Sequence, residues 1–226
     1  MLSRGVAIGI DEVGRGALAG PVFVAAVCAP PAAIRSGEHL FGALKDSKRL
    51  SARKREAWHD FLAARGDVCF AVARVNPRRI ERWNISRAAN LAAANAYRRV
   101  AAAAGIDRCR RRRSAAAGMV ASLATVKIPV YLDGGLFLAS RSRQQSISPS
   151  AKTFPKADEN IPAVAAASII AKVRRDRFMT ALAARFPGYG FEIHKGYGTI
   201  FHRAAIRKLG PCDMHRLTFL GKSPIM

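Results

Sequence analysis

A glycine-flanked acidic turn follows directly on the first strand-like segment of the chain. The apolar run Val6–Ile10 leads into Asp11–Gly16, which reads DEVGRG. Adjacent side chains on a regular strand point to opposite faces, so Asp11 and Glu12 can serve one site only if the strand ends or distorts there. The two glycines permit such a change of direction. We therefore expect a corner suited to a metal ion held beside a phosphate group.

The charge of the chain indicates a polyanionic partner. The 226 residues include 38 Lys and Arg against 15 Asp and Glu, which gives a formal net charge of +23. Nucleic acid is the partner that we expect for such a field. A basic protein whose charge mostly serves solubility and a protein that binds an anionic membrane surface are the alternatives that composition leaves open. The length suits one sizeable core, or one core with a small appended segment.

The cysteine pattern and the apolar runs indicate a reduced, unexported protein. Cys28, Cys69, Cys109 and Cys212 lie far apart with no C-x-x-C pair, so neither a zinc knuckle nor a disulfide framework is indicated. The chain start lacks a secretory apolar region, and the longest apolar stretch, at 163–171, is shorter than a membrane span. We expect a soluble cytoplasmic protein with no membrane partner.

Alternating hydrophobic patterns predict an α/β domain with a mixed sheet. Strands are predicted at 6–10, 21–27, 67–75 and 126–132, and helices at 52–64, 86–104, 161–186 and 199–209. Residues 29–45 and 136–153 are interpreted as loops. No linker divides the chain convincingly.

Two acids follow apolar strands in a chain that contains few acids. Asp133 follows the strand at 126–132 as Asp11 follows the first strand. If these strands are parallel, their carboxyl ends open on the side of the sheet where ligands usually bind, which brings Asp11, Glu12 and Asp133 together. Clustered oxygen ligands suit Mg²⁺ or Mn²⁺ better than zinc. A cap or turn role is the alternative for each acid alone, and local sequence favours a helix-terminal role for Asp158.

A second glycine-rich segment lies near the C-terminus. His194–Thr199 reads HKGYGT. Its glycines would let a nucleic-acid strand approach the backbone, and Tyr197 offers a face for a sugar or base. An ordinary turn before a helix capped by Thr199 would look similar, so both interpretations stay open.

Two basic features have a weaker interpretation. Lys48, in the segment Asp46–Lys48, either meets a phosphate or is a surface residue. The arginine cluster at 108–113 is either a nucleic-acid arm or a solvated insertion. Because the cluster has no interleaved aromatic residues with which to grip bases, the insertion is favoured.

In this order the motifs resemble the ribonuclease HII family, and the resemblance covers nearly the whole chain. The matching residues are Gly9–Gly16, Leu18–Val22, Asp46–Lys48, Asn84-Ile85, Leu132–Gly134, Lys156–Asp158, Ala165–Val173, Arg175-Asp176, His194–Thr199, Gly210-Pro211 and His215-Arg216. The chain departs from the usual pattern at Glu81–Trp83, at Ala157, and in two segments that look expanded, about 105–125 and 136–153.

The resemblance implies a ribonuclease H-like mixed sheet flanked by helices, with a C-terminal helical region. It implies a catalytic domain at 1–186, with a basic insertion at about 105–125, and a substrate-binding region at 187–226 packed on that domain. A monomer is expected.

The resemblance also implies an activity. The family hydrolyses the phosphodiester on the 5′ side of ribonucleotides embedded in duplex DNA or at RNA–DNA junctions of hybrids, and leaves 5′-phosphate and 3′-hydroxyl ends. By position, Asp11, Glu12 and Asp133 would bind Mg²⁺ or Mn²⁺. Asp158 would be the fourth active-site acid, which replaces its local interpretation, and Asp176 would support its helix.

Substrate recognition is implied at separate residues. Gly14, Arg15 and Gly16 would read the 2′-hydroxyl largely through their backbone, and Tyr197 would pack against the adjoining deoxyribose. Lys48 would also bind substrate. Two other functions stay open at this stage, namely a resolvase or transposase type of nuclease with the same core and a non-catalytic basic nucleic-acid-binding protein.

Overall fold

Five strands form one mixed sheet in the order β3-β2-β1-β4-β5. The computed structural model describes residues 5–44, 50–106, 128–138 and 150–221. The strands are β1 at Ala7–Val13, β2 at Val22–Ala29, β3 at Cys69–Val75, β4 at Val130–Asp133 and β5 at Ala151–Phe154. β1, β2 and β3 are antiparallel neighbours, whereas β4 pairs in parallel with both β1 and β5. The predicted mixed sheet is therefore confirmed.

Helices cover both faces of this sheet. They are α1 at Pro31–Phe41, α2 at Ala52–Ala64, α3 at Pro77–Trp83, α4 at Ile85–Ala103, α5 at Ala157–Asn160, α6 at Pro162–Arg185, α7 at Phe191–His194, α8 at Ile200–Leu209 and α9 at Leu217–Leu220. The buried alanines of α4 pack on one face, and α1, α2 and α6 share a second apolar cluster on the other. β2 lies between the two clusters and is buried along its whole length, as its uninterrupted apolar run predicts.

Two segments predicted as loops contain regular structure. The first is α1, in which Pro31 occupies the first turn, where a missing N–H costs no hydrogen bond, and Ile34 and Gly37 are buried. The second is β5, a short strand in which every second residue is exposed. α1 buries one face at helical spacing, but the prolines at its start and its glycine favour a loop in sequence interpretation, whereas β5 is too short to show a pattern.

β1 continues past the point where the sequence predicts its end. Asp11 pairs with Ala25 of β2, and Glu12 pairs with Val24. On the opposite side, pairing with β4 stops at Ile10. The acids thus lie within a strand rather than after it, and the edge of β1 that faces β4 is open from Asp11 onward.

The C-terminal helices pack around a buried aromatic ring and reach back to β1. The ring of Phe191 contacts the rings of Tyr189, His202 and His215. An isolated antiparallel bridge joins Ala19, in the loop after β1, to His215. The predicted division of the chain after residue 186 stays a prediction. Lys48 and the cluster at 108–113 lie outside the described residues. In the four described segments, no helix is at once long enough and apolar enough to cross a membrane.

β1 and α6 are in backbone contact at Gly9. A Cβ added there would lie 2.1 Å from the Ala163 carbonyl carbon and 2.3 Å from the Val164 nitrogen. No side chain can occupy that space without moving the helix away from the strand. Glycine at this position therefore sets the distance between the strand that carries Asp11 and the helix that covers it.

The close contact at Gly9 predicts a large effect of a single methyl group. Gly9→Ala should lower the free energy of unfolding by about 3 kcal/mol, because overpacking against backbone cannot be relieved by a rotamer change. Gly66→Ala is the matched control, since a Cβ there meets nothing within 4 Å, and it should change stability by less than about 0.5 kcal/mol. Urea unfolding of both variants measures the difference, and equal effects would contradict the contact.

Candidate active site

Four acids lie at or beside the carboxyl ends of β1 and β4. Asp133 is the last residue of β4, and its Oδ1 accepts a hydrogen bond of 2.6 Å from the Ala157 N–H. Lys156 has a left-handed backbone with φ 54°, which turns the chain into α5 directly after β5. Asp158 is buried on that turn. Asp133 thereby holds the turn that carries Asp158.

Asp11 is the deeply buried member of the site, with 5% of its surface exposed. Its carboxylate is hydrogen-bonded to the side chain of Ser168 in α6, and its Oδ1 accepts from the Glu12 N–H at 2.7 Å. Burial, and then the negative charges of Glu12 and Asp133, raise the pKa of Asp11 well above its usual value. The three acids therefore share one electrostatic environment although two of them are consecutive on a strand.

Glu12 is oriented by an arginine of the following turn. Arg15 Nη1 donates to Glu12 Oε1 at 3.1 Å, and Arg15 Nη2 donates to Ser86 Oγ at 2.9 Å. Burial raises the pKa of Glu12, which the bond from Arg15 partly opposes. The second oxygen, Oε2, is buried and has no hydrogen-bond partner among the described residues. One carboxylate oxygen is thus held in place while the other has unmet bonding capacity.

These acids fit a divalent cation chemically. A cation would satisfy the unpartnered Glu12 oxygen and relieve the repulsion among Asp11, Glu12 and Asp133. A set of oxygen donors suits Mg²⁺ or Mn²⁺. Within the described segments, no three His, Cys, Asp or Glu side chains lie close enough together to hold a metal ion. The carboxylates would therefore have to move closer to one another to bind a cation.

The loop after β1 presents backbone where a ligand can reach it. Gly14 has φ +86°, and a Cβ there would lie 2.1 Å from Nε of Arg175, so glycine is required. Gly16 is exposed, and a Cβ there would meet nothing within 4 Å. The amide N–H groups of Arg15 and Gly16 have no acceptor within the described part of the chain. The loop can therefore offer two backbone donors to a ligand above Gly16.

A buried guanidinium holds the carbonyl side of this loop. Arg216 is fully buried and donates from Nη2 to the carbonyls of Gly14 at 2.7 Å and Gly20 at 2.8 Å. Its Nη1 donates to the Arg15 carbonyl at 2.8 Å, and its Nε to the Gly20 carbonyl at 3.0 Å. Burial lowers the pKa of Arg216 to about 9, so the group stays cationic at neutral pH. With the carbonyls turned toward Arg216, the loop keeps a fixed shape.

A second buried guanidinium joins the loop to the segment that contains Tyr197. Arg175 donates to the carbonyls of Ala19 and Pro21, both at 3.2 Å, and to that of Lys195 at 2.9 Å. Its Cζ lies 5.3 Å from the centroid of the Tyr197 ring. The two glycine-rich segments are therefore parts of one hydrogen-bonded unit.

The Tyr197 ring is half-buried and lies beside a second cation. Lys172 Nζ is 5.9 Å from the ring centroid. Lys172 also donates to Asp176 at 2.9 Å, an ion pair between residues one helical turn apart. Asp176 is thus paired within α6.

Three residues of this site have no role predicted from the sequence. Ser168 interrupts the apolar run 163–171, and a lone polar residue in such a run is a signal for a buried partner. Arg175 and Arg216 give no such signal, because a chain with 38 Lys and Arg residues offers no means of telling a buried arginine from a surface one.

A mixed sheet that carries carboxylates on its central parallel strands is typical of a metal-dependent nuclease with a ribonuclease H-like fold. The family model for ribonuclease HII matches residues 8–222. The chain belongs to the ribonuclease HII family. It is therefore a hydrolase of the ribonuclease H type 2 class, and metal dependence is general in that family. This membership separates it from resolvase or transposase nucleases of similar fold and from non-catalytic binding proteins.

Individual relatives agree with this membership. The chain is 41% identical over 221 residues to the ribonuclease HII of Oleidesulfovibrio alaskensis, a match that covers 96% of this chain and 79% of that protein. A chain of the PCNA:RNase HII complex from Archaeoglobus fulgidus superposes with a TM-score of 0.69 at 25% identity, over 97% of this chain and 96% of that one. Bst-RNase HIII in complex with Mn²⁺ shares the fold, with a TM-score of 0.57 at 23% identity over 96% of this chain and 68% of that one.

The raised pKa of Asp11 predicts that its negative charge lowers the stability of the metal-free protein. Because the pKa of Asp11 is raised in the folded state, its ionised form opposes folding, and this cost develops as pH rises from the unfolded pKa toward the folded one. In EDTA at pH 7, Asp11→Asn should therefore raise Tm by about 2–4 °C, which corresponds to roughly 1 kcal/mol in a chain of this size. Added Mg²⁺ should raise Tm of the parent protein and leave that of the variant almost unchanged.

Asp67→Asn is the control for this measurement. Asp67 is exposed and accepts two hydrogen bonds from Arg65, which lower its pKa. Its replacement should cause a small loss of stability rather than a gain, with no change in the Mg²⁺ response. A lower Tm of Asp11→Asn in EDTA would contradict the repulsion that we describe.

The hydrogen bonds of Arg216 predict that a lysine, which keeps only the positive charge, cannot replace it. Arg216→Lys keeps a cation but offers one nitrogen where three nitrogens now serve Gly14, Arg15 and Gly20. Each buried carbonyl left without a donor costs about 1–3 kcal/mol, so a loss of about 3 kcal/mol in urea unfolding is expected. Arg207→Lys, at an exposed position of α8, should cost less than about 0.5 kcal/mol, and similar losses in the two variants would refute the bracing role.

Proposed function

We propose that this enzyme hydrolyses the phosphodiester on the 5′ side of a ribonucleotide within duplex DNA or at an RNA–DNA junction of a hybrid. The products would carry 5′-phosphate and 3′-hydroxyl ends. The observation that carries the proposal is the continuity of β1 with its loop, which puts the carboxylate of Glu12 and the open amides of Arg15 and Gly16 within one short segment. An acid site and a backbone donor site are thereby adjacent.

The carboxylates have distinct duties in this proposal. Asp11, Glu12 and Asp133 would hold Mg²⁺ or Mn²⁺, with Asp158 as the fourth acid. Such a cation, when bound, activates water and neutralises charge at the phosphate. Ser168 orients Asp11, and Arg15 orients Glu12. The Mn²⁺ complex of Bst-RNase HIII supports the inclusion of Mn²⁺, and the hard oxygen ligands suit both ions.

The ribose would be read by backbone groups. A 2′-hydroxyl both donates and accepts hydrogen bonds, so a fixed pair of amide donors can tell RNA from DNA at one position. Arg15 and Gly16 provide such donors, and Gly14 supplies the left-handed turn that aims them. Tyr197, half-buried in the unit braced by Arg175, would pack against the deoxyribose that follows.

The rest of the surface would grip phosphates without reading sequence. The net charge of +23 supports this role, and Lys48 would be one of the contacts. A monomer that acts in the cytoplasm on ribonucleotide-containing duplex DNA and on RNA–DNA hybrids, with no membrane partner, completes the proposal. The region at 187–226 would be its substrate-binding part and 1–186 its catalytic domain.

A matched pair of duplexes tests the proposal. One contains a single ribonucleotide and the other is its all-DNA twin, and both are incubated with Mg²⁺, with Mn²⁺ or with EDTA. Only the first should be cut, on the 5′ side of the ribonucleotide and only with a divalent cation. Asp133→Asn should lower the rate by on the order of a thousandfold. Equal cutting of the two duplexes would show a general DNA nuclease instead.

The role proposed for Tyr197 predicts that its removal lowers the cleavage rate without a matching loss of duplex binding. Tyr197→Ala should lower junction cleavage by about tenfold to a hundredfold, the value of one lost ring contact, while the duplex Kd changes by less than about threefold. Tyr197→Phe keeps the ring and should cut nearly as well as the parent. If cleavage and binding fall together in Tyr197→Ala, the residue does not act locally on the sugar.

A further inference from the structure

Three buried histidines beside Tyr197 have no part in the site described so far. His194, His202 and His215 have 8%, 0% and 3% of their surface exposed. The rings of His194 and His202 stack with centroids 4.2 Å apart, and Nε2 of His202 lies 3.1 Å from Nε2 of His215. We call these residues the histidine network.

The hydrogen bonds determine where each proton lies. The Tyr197 carbonyl can only accept, so a neutral His202 carries its proton on Nδ1, which donates to that carbonyl at 2.9 Å, and its Nε2 accepts from Nε2 of His215. Nδ1 of His215 is then left to accept from the Cys212 N–H at 2.9 Å, with the Cys212 carbonyl 3.3 Å away. A directed chain thus runs from the Cys212 amide through two rings to the backbone of Tyr197.

His194 completes the network from the other side. Its Nδ1 accepts from the Gly196 N–H at 3.1 Å, and its Nε2 donates to the Tyr189 carbonyl at 2.7 Å. One peptide group on each side of Tyr197, namely Lys195–Gly196 and Tyr197–Gly198, therefore bonds to a histidine ring. The bond from Gly196 needs a neutral His194, and the bond between His202 and His215 needs one of its two nitrogens unprotonated, because an added proton would set two donors against each other.

The surroundings keep the rings neutral. Burial lowers the pKa of all three histidines, and that of His202 to about 4. Of the charged groups that face them, Lys195 and Arg203 act in the same direction and Glu192 opposes. The bonding pattern is thus stable at neutral pH.

The segment that the network holds would not keep its shape alone. Lys195 and Gly196 have left-handed backbones with φ 53° and 81°, and such a conformation in a residue other than glycine persists only where its surroundings impose it. The Gly196 carbonyl accepts from the Leu18 and Ala19 N–H groups at 2.9 and 3.2 Å. The turn is therefore tied to the loop after β1 on one side and to the histidines on the other.

We propose that His194 and His202 are positioning residues that hold Tyr197 where it distinguishes a deoxyribose from a ribose after the scissile ribonucleotide. This inference rests on the proposed function. His215 serves by fixing the tautomer of His202. The network thereby sets the preference of the enzyme for an RNA–DNA junction over continuous RNA, without touching the substrate.

Two substitutions of His202 separate its two bonds. In His202→Asn the amide lies where Nδ1 was and can still donate to the Tyr197 carbonyl. In His202→Gln the amide reaches the Nε2 position, so contact with His215 is kept and the bond to Tyr197 is lost. His39→Gln, at an exposed histidine outside the network, is the control.

The readout is the ratio of kcat/KM for two hybrid substrates that differ only in a deoxyribose or a ribose after the cleaved ribonucleotide. His202→Gln should lower this ratio by about fivefold, the value of one buried hydrogen bond. His202→Asn should stay within about twofold of the parent, and His39→Gln should match it. An unchanged ratio in folded His202→Gln, or an equal fall on both substrates, would overturn the proposal.

A measurement on the parent protein does not depend on the folding of a variant. Nitrogen-15 chemical shifts of labelled histidines at pH 7, assigned to the rings of the network, should show His202 protonated on Nδ1 and His194 and His215 protonated on Nε2. A different tautomer at His202, or an imidazolium ring in the network, would overturn the positioning role. A parent enzyme that cuts neither substrate would instead count against the proposed function, and the tautomer measurement would still test the network.

Discussion

The burial of two guanidinium groups under the loop after β1 is the constraint on which the shape of that loop depends. A buried charge is tolerated only where dipoles compensate it, and here backbone carbonyls of that loop provide the compensation for Arg175 and Arg216. Carbonyls that turn inward leave the amide groups of Arg15 and Gly16 facing outward. The donors that would meet a 2′-hydroxyl are therefore a consequence of how the protein solves an electrostatic problem in its interior.

Helix α6 carries this constraint to the acids. Ser168, which binds Asp11, and Arg175, which binds the loop, lie two helical turns apart, or about 10 Å along the axis. The contact at Gly9 holds the same helix against β1. The loop after β1 and the carboxylate of Asp11 are therefore held by one helix, which is stiff over this length, and the two roles that we propose for them share that support.

The acidic half of the site shows how far sequence reasoning reaches. Asp11 and Asp133 could be paired from the sequence because each follows an apolar run of residues, and the parallel pairing of β1 with β4 confirms that the two runs are parallel strands. Asp158 could not be placed by its local sequence and entered only through the family resemblance. The reason is that its position depends on a bond between Asp133 and the Ala157 amide, across a separation that no local pattern encodes.

The sequence by itself determined the α/β class, the order of the strand-end acids, the two glycine-rich segments and the resemblance to the ribonuclease HII family, because these are properties of period, residue type and spacing. Only the tertiary structure decided that β1 runs on through its acids to Val13, that Arg175 and Arg216 are internal, and that three histidines hold the backbone beside Tyr197. Burial and hydrogen-bond partners are created when distant segments meet. An arginine or histidine therefore looks the same in the sequence whether it lies on the surface, is buried in the core or holds a neighbouring loop by hydrogen bonds.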